Sequence, residues 1–395
     1  MKKLISAFLF MMVGNTFSQS VPKTILLLPD TGQTTSYTAT FGEDNDYTIN
    51  TPSYTNNNDG TITDNVTGLM WQQIDGGEMT IDNAHTYCDN LVLANYSDWR
   101  LPTPMEAYSI LNQQKNNPAM NTVYFPSSGA EYWWTSSYQA GDNTKVWVTN
   151  AGGGIGNHPK AETVSAGGTH QFHVRAVRDV TPPTMLNNHF TDNGDGTITD
   201  NLTQLIWQKV PNTSALTWEQ ALTYAEGLVV AGASDWRLPN IKELQSLNDE
   251  TVTNPSVNTT YFSTIGVKNY WSSTTLLPNP SNLTSAWYWN TQFGITTYDT
   301  KTNTNYVICV RGIPTTLAVN QLNTVNQNDK IINNPFSSKI QISTSNANDY
   351  YELYDSKGSS IYKGYSIEKE DFSGLANGIY ILKINNTQSI QLIKE

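Results

Sequence analysis

The 395-residue chain has room for two or three domains, each able to bury its own core. Its formal charge of −12 argues against nucleic acid as a partner, because phosphates demand a Lys/Arg patch, and its low 14% of charged residues, amid abundant Asn, Thr, Ser, Tyr and Trp, suits an extracellular β-rich protein better than a cytoplasmic enzyme. Two cysteines are too few for a disulfide framework or a zinc site.

Lys2-Lys3, the apolar stretch from Leu4 to Val13 and then Ser18-Gln19-Ser20 read as a signal peptide over residues 1–20. A transmembrane helix needs about 20 apolar residues, more than this stretch offers, and nothing later in the chain predicts a membrane span. Residues 21–53 hold a strand-like Thr24-Ile25-Leu26-Leu27-Leu28 and then Pro29-Asp30-Thr31-Gly32-Gln33-Thr34. Asp30-Thr31-Gly32 is the tripeptide of aspartic proteases, but those enzymes need two carboxylates sharing a proton, and no second Asp-Thr-Gly follows.

From residue 60 the chain writes one pattern twice. Gly60-Thr61-Ile62-Thr63-Asp64-Asn65, Thr67, Leu69, Trp71-Gln72 and Ser97-Asp98-Trp99-Arg100-Leu101-Pro102 recur as Gly196-Thr197-Ile198-Thr199-Asp200-Asn201, Thr203, Leu205, Trp207-Gln208 and Ser234-Asp235-Trp236-Arg237-Leu238-Pro239. The match continues through Tyr124-Phe125 with Tyr261-Phe262, Trp134 with Trp271 and Arg178 with Arg311. So long a period marks a tandem pair of whole domains, not a solenoid.

Each copy opens on a hairpin signal, Asn58-Asp59-Gly60 or Gly194-Asp195-Gly196, where Asp-Gly between short β-prone runs favours a tight turn. Asp59, Asp64, Asp195 and Asp200 are candidate calcium ligands, since hard cations want clustered oxygens. Their spacing does not match an EF-hand loop, and Asx turns explain the same residues without a metal. Two helices follow in each copy. The first is predicted to start at Thr80 or Thr217, with Thr217 and Gln220 as a capping box; the second begins at Thr103-Pro104-Met105-Glu106 or at Asn240 with Glu243. Glu106 and Glu243 are therefore expected to cap helices rather than act as acids. Trp99 and Trp236 read as buried scaffold, while Arg100 and Arg237 are able to fork onto a carboxylate or onto backbone carbonyls.

The second half of each copy is aromatic: Tyr132-Trp133-Trp134-Thr135-Ser136-Ser137 with Trp147, and Tyr270-Trp271-Ser272-Ser273 with Trp287-Tyr288-Trp289. Strand alternation puts Trp287 and Trp289 on one face and Tyr288 on the other. One face fills the core; an exposed face suits stacking on sugar rings, which makes Trp134, Trp147, Trp271, Trp287 and Trp289 the candidate ligand-binding residues. The glycine run Gly152-Gly153-Gly154-Ile155-Gly156, like Gly167-Gly168, is no phosphate loop, because the Lys-Ser/Thr ending is missing. His85, His158, His170, His173 and His189 form no metalloprotease motif, and no Gly-x-Ser-x-Gly elbow appears. His170 and His173 are a conceivable metal pair, yet the second copy has Tyr306 opposite His173, which favours ordinary strand positions.

Val177-Arg178 closes the first copy, Pro182-Pro183 links to the second, and Val310-Arg311 closes that one; residues 313–330, rich in Asn, Thr and Gln, are a linker. In the tail, alternation at Tyr380 and Leu382 with turns at Lys357-Gly358 and Asn377-Gly378 predicts a small antiparallel sandwich.

The twice-written run, with its Asp-Trp-Arg-Leu-Pro, Trp-Ser-Ser and closing Val-Arg, resembles the Lcl C-terminal domain family, named after a bacterial collagen-like surface adhesin. The resemblance covers roughly residues 30–180 and 187–312. It implies a C-type-lectin-like α+β fold and, in the namesake, binding of sulfated polysaccharide, which the acidic balance here disfavours. Members often carry an Asp-Thr-Gly-Gln-Thr lead-in, which places residues 21–180 in the first domain and 187–312 in the second. The family also pairs a Cys after the first-helix Tyr with a Cys before the final Val-Arg. Here Cys88 follows Tyr87 but Ala176 stands at the partner position, while Ala225 follows Tyr224 and Cys309 precedes Val310-Arg311. Each copy keeps the opposite half, leaving two readings: isolated buried thiols, or a Cys88–Cys309 bond between copies.

Residues 331–395, with Asn334-Pro335-Phe336, Tyr351-Glu352-Leu353-Tyr354-Asp355, Asn377-Gly378-Ile379-Tyr380 and the ending Gln391-Leu392-Ile393-Lys394, resemble the type IX secretion system sorting domain. That resemblance implies export across an outer membrane by the type IX machinery. The expectation is an α+β protein of two tandem C-type-lectin-like domains and a C-terminal all-β Ig-like sandwich, secreted or held on the cell surface. It is expected to bind polysaccharide or extracellular matrix in adhesion, with no enzymatic activity, no nucleic-acid partner and no cofactor beyond the calcium of the first reading. The rivals are a structural or protein-interaction module without a sugar site and a formylglycine-generating-like enzyme, which shares the fold class but needs paired reactive cysteines.

Overall fold

The computed structural model of the protein describes residues 20–126, 132–161, 172–277, 283–312, 335–342, 349–355, 360–384 and 388–394. The expected signal peptide through Gln19, His170, Gly167-Gly168, the 313–330 linker, Asn334 and the Lys357-Gly358 turn lie outside them. The chain divides into two units, Met1–Ile313 and Pro314–Glu395.

In the first unit β1 (Val21–Lys23) opens the lead-in, and β2 (Tyr54–Asn56) and β3 (Thr61–Asp64) form the hairpin predicted at Asp59-Gly60. The Asp59 carboxylate accepts hydrogen bonds from the Thr61 amide and hydroxyl at 3.0 and 2.6 Å, an Asx turn. β4 (Leu69–Gln72), α1 (Ile81–Asn90), α2 (Pro104–Ser109), β5 (Tyr132–Gln139), β6 (Asp142–Asn150), β7 (Ile155–Pro159) and the closing β8 (Val177–Asp179) complete the first copy. The linker strand β9 (Thr184–Leu186) pairs with β1. The second copy repeats the order: β10 (Phe190–Asp192), β11 (Thr197–Asp200), β12 (Ile206–Gln208), α3 (Trp218–Glu226), α4 (Ile241–Ser246), β13 (Asn269–Thr275), β14 (Ser285–Asn290), β15 (Ile295–Thr300) and β16 (Val310–Arg311).

Each copy thus holds two antiparallel sheets. One joins its first hairpin to its last strand, β2-β3-β4-β8 and β10-β11-β12-β16; the other is a meander, β5-β6-β7 and β13-β14-β15. The class is α+β, sheet-rich with short helices.

The predicted caps form. Thr103 Oγ1 accepts from the Glu106 amide at 3.3 Å while Glu106 Oε2 accepts from the Thr103 amide at 2.8 Å, and Asn240 and Glu243 repeat the exchange at 2.9 Å each way. The same carboxylates take the signature guanidinium in a two-toothed pair, Arg100 with Glu106 at 2.7 and 2.9 Å and Arg237 with Glu243 at 2.7 and 2.6 Å. Asp-Trp-Arg-Leu-Pro is therefore a joint. Its Arg ties the loop to the second helix's cap, and Trp99 and Trp236 plug the core beneath.

Each copy has a private core on its first-helix side. In the first it gathers Ile81, Ala84, Cys88, Trp99 and Trp134, and in the second Trp218, Leu222, Trp236, Trp271 and Cys309. A third core runs through both copies, from Trp71, Tyr108, Leu111 and Trp147 to Trp207, Ile241, Leu244, Trp287 and Trp289. Helices α2 and α4 pack together there, and β7 lies beside β15. Gly153, at φ +96°, explains part of the glycine run: a Cβ there would meet Ala119 Cβ at 3.1 Å, with the Trp287 ring of the other copy 3.6 Å away.

The lead-in straps this interface. Its Leu26 amide bonds Thr67 O in the first copy, while the Gln33 side chain bonds Thr275 O at 2.6 Å in the second and Gln113 O at 3.3 Å in the first.

In the C-terminal unit, β17 (Tyr351–Asp355), β18 (Ser360–Gly364), β19 (Gly378–Ile384) and β20 (Gln388–Lys394) form one antiparallel sheet in the order β18-β17-β19-β20. Leu353, Leu382 and Leu392 pack with Phe336, Ile340, Ile367 and Phe372 from the connecting segments. Among the described residues the layer opposite the sheet is thus made of these segments, where the sequence predicts a sandwich.

Candidate functional site

The first copy carries an open cleft of about 300 Å³ between α1, the signature loop and the closing strand. Leu101 and the buried Cys88 line its base. His85 and Asp89, one helical turn apart on α1, line one side; Arg100, Asp179 and Ser136 line the other, with Thr24 and Pro183 at the edge. Arg100 binds Asp179 at 3.0 Å as well as Glu106, and its side chain keeps 32% of its surface exposed. An apolar base with a ring of carboxylates, a guanidinium and a hydroxyl suits a ligand bearing hydroxyl groups on a flat ring or chain.

The second copy has the same elements, with Leu222, Glu226, Arg237, Leu238, Asn240 and Ser273 at the aligned positions. There the lead-in occupies the space. Tyr47 lies with its ring centroid 5.5 Å from the Arg237 guanidinium carbon and donates its hydroxyl to Glu226 at 2.6 Å. Burial, reinforced by Glu226, holds the Tyr47 phenol above its ordinary pKa, so it stays a donor. Gly42, at φ +110°, lets the strap pass: a Cβ would come within 2.9 Å of Glu226 Oε1. Arg237 is left with a side chain only 5% exposed.

A charged cluster fastens the strap below Tyr47. Asp44 accepts from Thr31 Oγ1 at 2.9 Å and from Thr274 Oγ1 at 2.5 Å. Lys242, fully buried, donates to Asp30 O and Ser109 O at 2.8 Å each, tying lead-in and first copy to the second. Burial pushes the Lys242 ammonium down to about 8 against the pull of Asp30, Asp64 and Asp44, and burial raises Asp44 and Asp30.

A second polar network exists in the first copy alone. Asp75 accepts from Trp133 Nε1 at 3.1 Å and meets His173 Nδ1 at 3.0 Å, with Arg175 at 3.7 Å. Burial pushes the Arg175 guanidinium down to about 10. The aligned second-copy residues are Pro211, Tyr270, Tyr306 and Ile308, so this network replaces an aromatic and aliphatic core with internally paired charge.

The residues singled out from the sequence fall elsewhere. Trp134, Trp147, Trp271, Trp287 and Trp289 are all buried, the most exposed being Trp287 at 5%. Alternation does separate Trp287 and Trp289 from Tyr288, but both faces of β14 are covered: Tyr288 packs edge-on against Trp271 on the helix side. None of the five offers a ring face to a sugar. Asp59 and Asp195 are spent on their hairpin turns, and the buried Asp64 and Asp200 accept from the amides of Val66 and Thr67 and of Leu202 and Thr203. These carboxylates build turns where a calcium role was a candidate, and among the described residues no group of three His, Cys, Asp or Glu side chains is placed to hold a metal ion. Cys88 and Cys309 are free. Each lies in the private core of its own copy rather than at the interface, so the bond between copies does not form, and burial pushes the Cys88 thiol up to about 12 and Cys309 higher still. His173 meets Asp75, and His170, the other half of the candidate pair, lies outside the described residues. The cleft residues Asp89 and Asp179 went unnoticed in the sequence; comparing the copies position by position flags Asp179, which faces Gly312, but not Asp89, which faces another acid, Glu226.

Comparison with known families agrees with the repeat. Residues 60–178 and 196–311 match the profile of the Lcl C-terminal domain, and residues 330–395 match that of the secretion system C-terminal sorting domain. No curated protein matches the chain.

Proposed function

From the premise that this chain belongs to the Lcl C-terminal domain family and ends in a type IX sorting domain, which directs it to the cell surface or the medium, we propose that it is a non-enzymatic binding protein of the cell exterior. The proposed ligand is an extracellular polymer, a polysaccharide or matrix component, engaged in adhesion. We read each copy as C-type-lectin-like, a reading supported by the closing strand that pairs back onto the first hairpin's sheet, β8 on β4 and β16 on β12.

The open cleft of the first copy is the observation that carries the binding reading, because its counterpart in the second copy is already filled. Two consequences follow for the ligand. With the equivalent cleft of the second copy filled by the strap, avidity at this site has to come from several chains on one surface rather than from the tandem itself. With a net charge of −12 and Asp89 and Asp179 at the mouth, an uncharged polymer fits better than a sulfated one. The test is the full chain on arrays of glycans and matrix polymers, beside Thr24→Trp, which narrows the cleft edge. A ligand retained by wild type and lost by the variant supports the reading; silence across the arrays, or equal retention, refutes it. The buried tryptophans and shared core favour the rival reading, a rigid surface spacer, in the event of silence.

A further inference from the structure

The second copy displays its cleft in the occupied state, and the occupant is polypeptide. Tyr47 enters with its hydroxyl on Glu226 and its ring against Arg237, and the strap residue Asp44 meets the Thr274 hydroxyl just beyond. The first copy keeps the matching parts, with Asp89 for Glu226, Arg100 for Arg237, Leu101 for Leu238 and Ser137 for Thr274. Asp89 is exposed, and its carboxylate accepts no hydrogen bond among the described residues. The guanidinium buried in one copy keeps 32% side-chain exposure in the other.

We propose that the first-copy cleft is a docking site for a tyrosyl side chain presented by another polypeptide, held as Tyr47 is held. This rests on the binding reading above and narrows its ligand to a protein component of the cell exterior. Asp89 accepts the phenolic hydroxyl, the ring lies on Leu101 and the Arg100 face, and Ser136 and Ser137 offer hydroxyls to the flanking backbone. One difference between the copies sets the preference for neighbours. Asp179 stands where the second copy has Gly312, so Arg100 is already claimed by two carboxylates and the first cleft is the more acidic of the pair. Acidic residues like Asp44 and Asp46, which serve in the strap, are repelled here; neutral or basic ones are accepted.

The probe is a labelled nine-residue peptide spanning positions 42–50 with Glu43→Gln, Asp44→Asn and Asp46→Asn, titrated by fluorescence anisotropy against the full chain. One saturable site is expected, with affinity falling about tenfold or more when the peptide carries Tyr47→Phe, the loss set by one hydrogen bond to a carboxylate. Asp89→Ala in the protein should weaken the tyrosine peptide by a similar factor and abolish the preference for tyrosine over phenylalanine, because both changes remove the same bond. The peptide with its native acids should bind less well. No binding at about 1 mM, the weak end of specific recognition, overturns the proposal. So does a tyrosine preference that survives Asp89→Ala, or binding that is lost on Glu226→Ala instead, which would mean that the peptide merely displaces the strap. If the peptide fails while an array polymer is still retained and lost on Thr24→Trp, the tyrosyl assignment falls and the binding function stands; if both fail, the function falls with it.

Discussion

Replacing Lys242 with methionine tests whether the two copies are held together by the buried charge cluster. The substitution is the one the protein itself makes, since Met105 occupies the aligned position in the first copy. Lys242 is fully buried and its two 2.8 Å bonds to Asp30 O and Ser109 O cross from the second copy to the lead-in and to α2. Each bond from an ammonium is worth about 1.5–3 kcal/mol. Methionine recovers the packing of the stem and removes the ammonium's desolvation cost, but it leaves two carbonyls unpaired and Asp30 without its countercharge. The net loss is about 3 kcal/mol, at the low end for deleting one member of a buried charge group, or about 5 °C in Tm for a unit this large. Burial holds Asp30 and Asp44 above the ordinary carboxylate range. They are therefore neutral in acid, and the gap between wild type and Lys242→Met should widen as pH rises and they ionise. Thermal and urea melts at several pH values measure it. A variant as stable as wild type at neutral pH, or more stable, would refute the idea that this lysine fastens the copies.

Three further outcomes follow from the same geometry. Because the folded state raises the Asp44 pKa, it binds a proton that the unfolded chain has released, so Asp44 costs stability as pH rises from the ordinary carboxylate range towards neutrality; Asp44→Asn should flatten that decline in urea melts. Neither Cys88 nor Cys309 should react with a thiol reagent until the protein unfolds, and mass mapping without reductant should find both free. Trp287→Ala should cost about 3–5 kcal/mol by emptying the shared core, and its melt should lose cooperativity between the copies, whereas a loss below about 1 kcal/mol would mean that the ring does not join them.

Much of the fold is legible because it is local. Asp-Gly turns, capping boxes at Thr103 and Asn240 and the Arg–Glu spacing of the signature each lie within a few residues, and each forms as its residue types dictate. The lead-in escapes sequence reasoning for the opposite reason. Its contacts reach across about 180 to 240 residues, from Tyr47 to Glu226 and from Gln33 to Thr275, and leave no period behind. The tryptophans mislead because alternation reports that two residues share a face without telling whether that face is covered. Here β14 is covered on both sides, by the shared core and by the helix-side core. The site hides in the same way: the signature Arg-Leu and the later Ser stand in both clefts, and the strap that fills one of them leaves no mark in the local pattern.

The inequality of the two clefts is measured most directly by labelling arginines in the native full chain with an α-dicarbonyl reagent and mapping the adducts by mass. Arg100, with its side chain 32% exposed, should label well ahead of Arg237, at 5%, and Tyr47→Ala should bring Arg237 up towards Arg100. Equal labelling of the two in wild type, or an Arg237 that stays protected without Tyr47, would contradict the account.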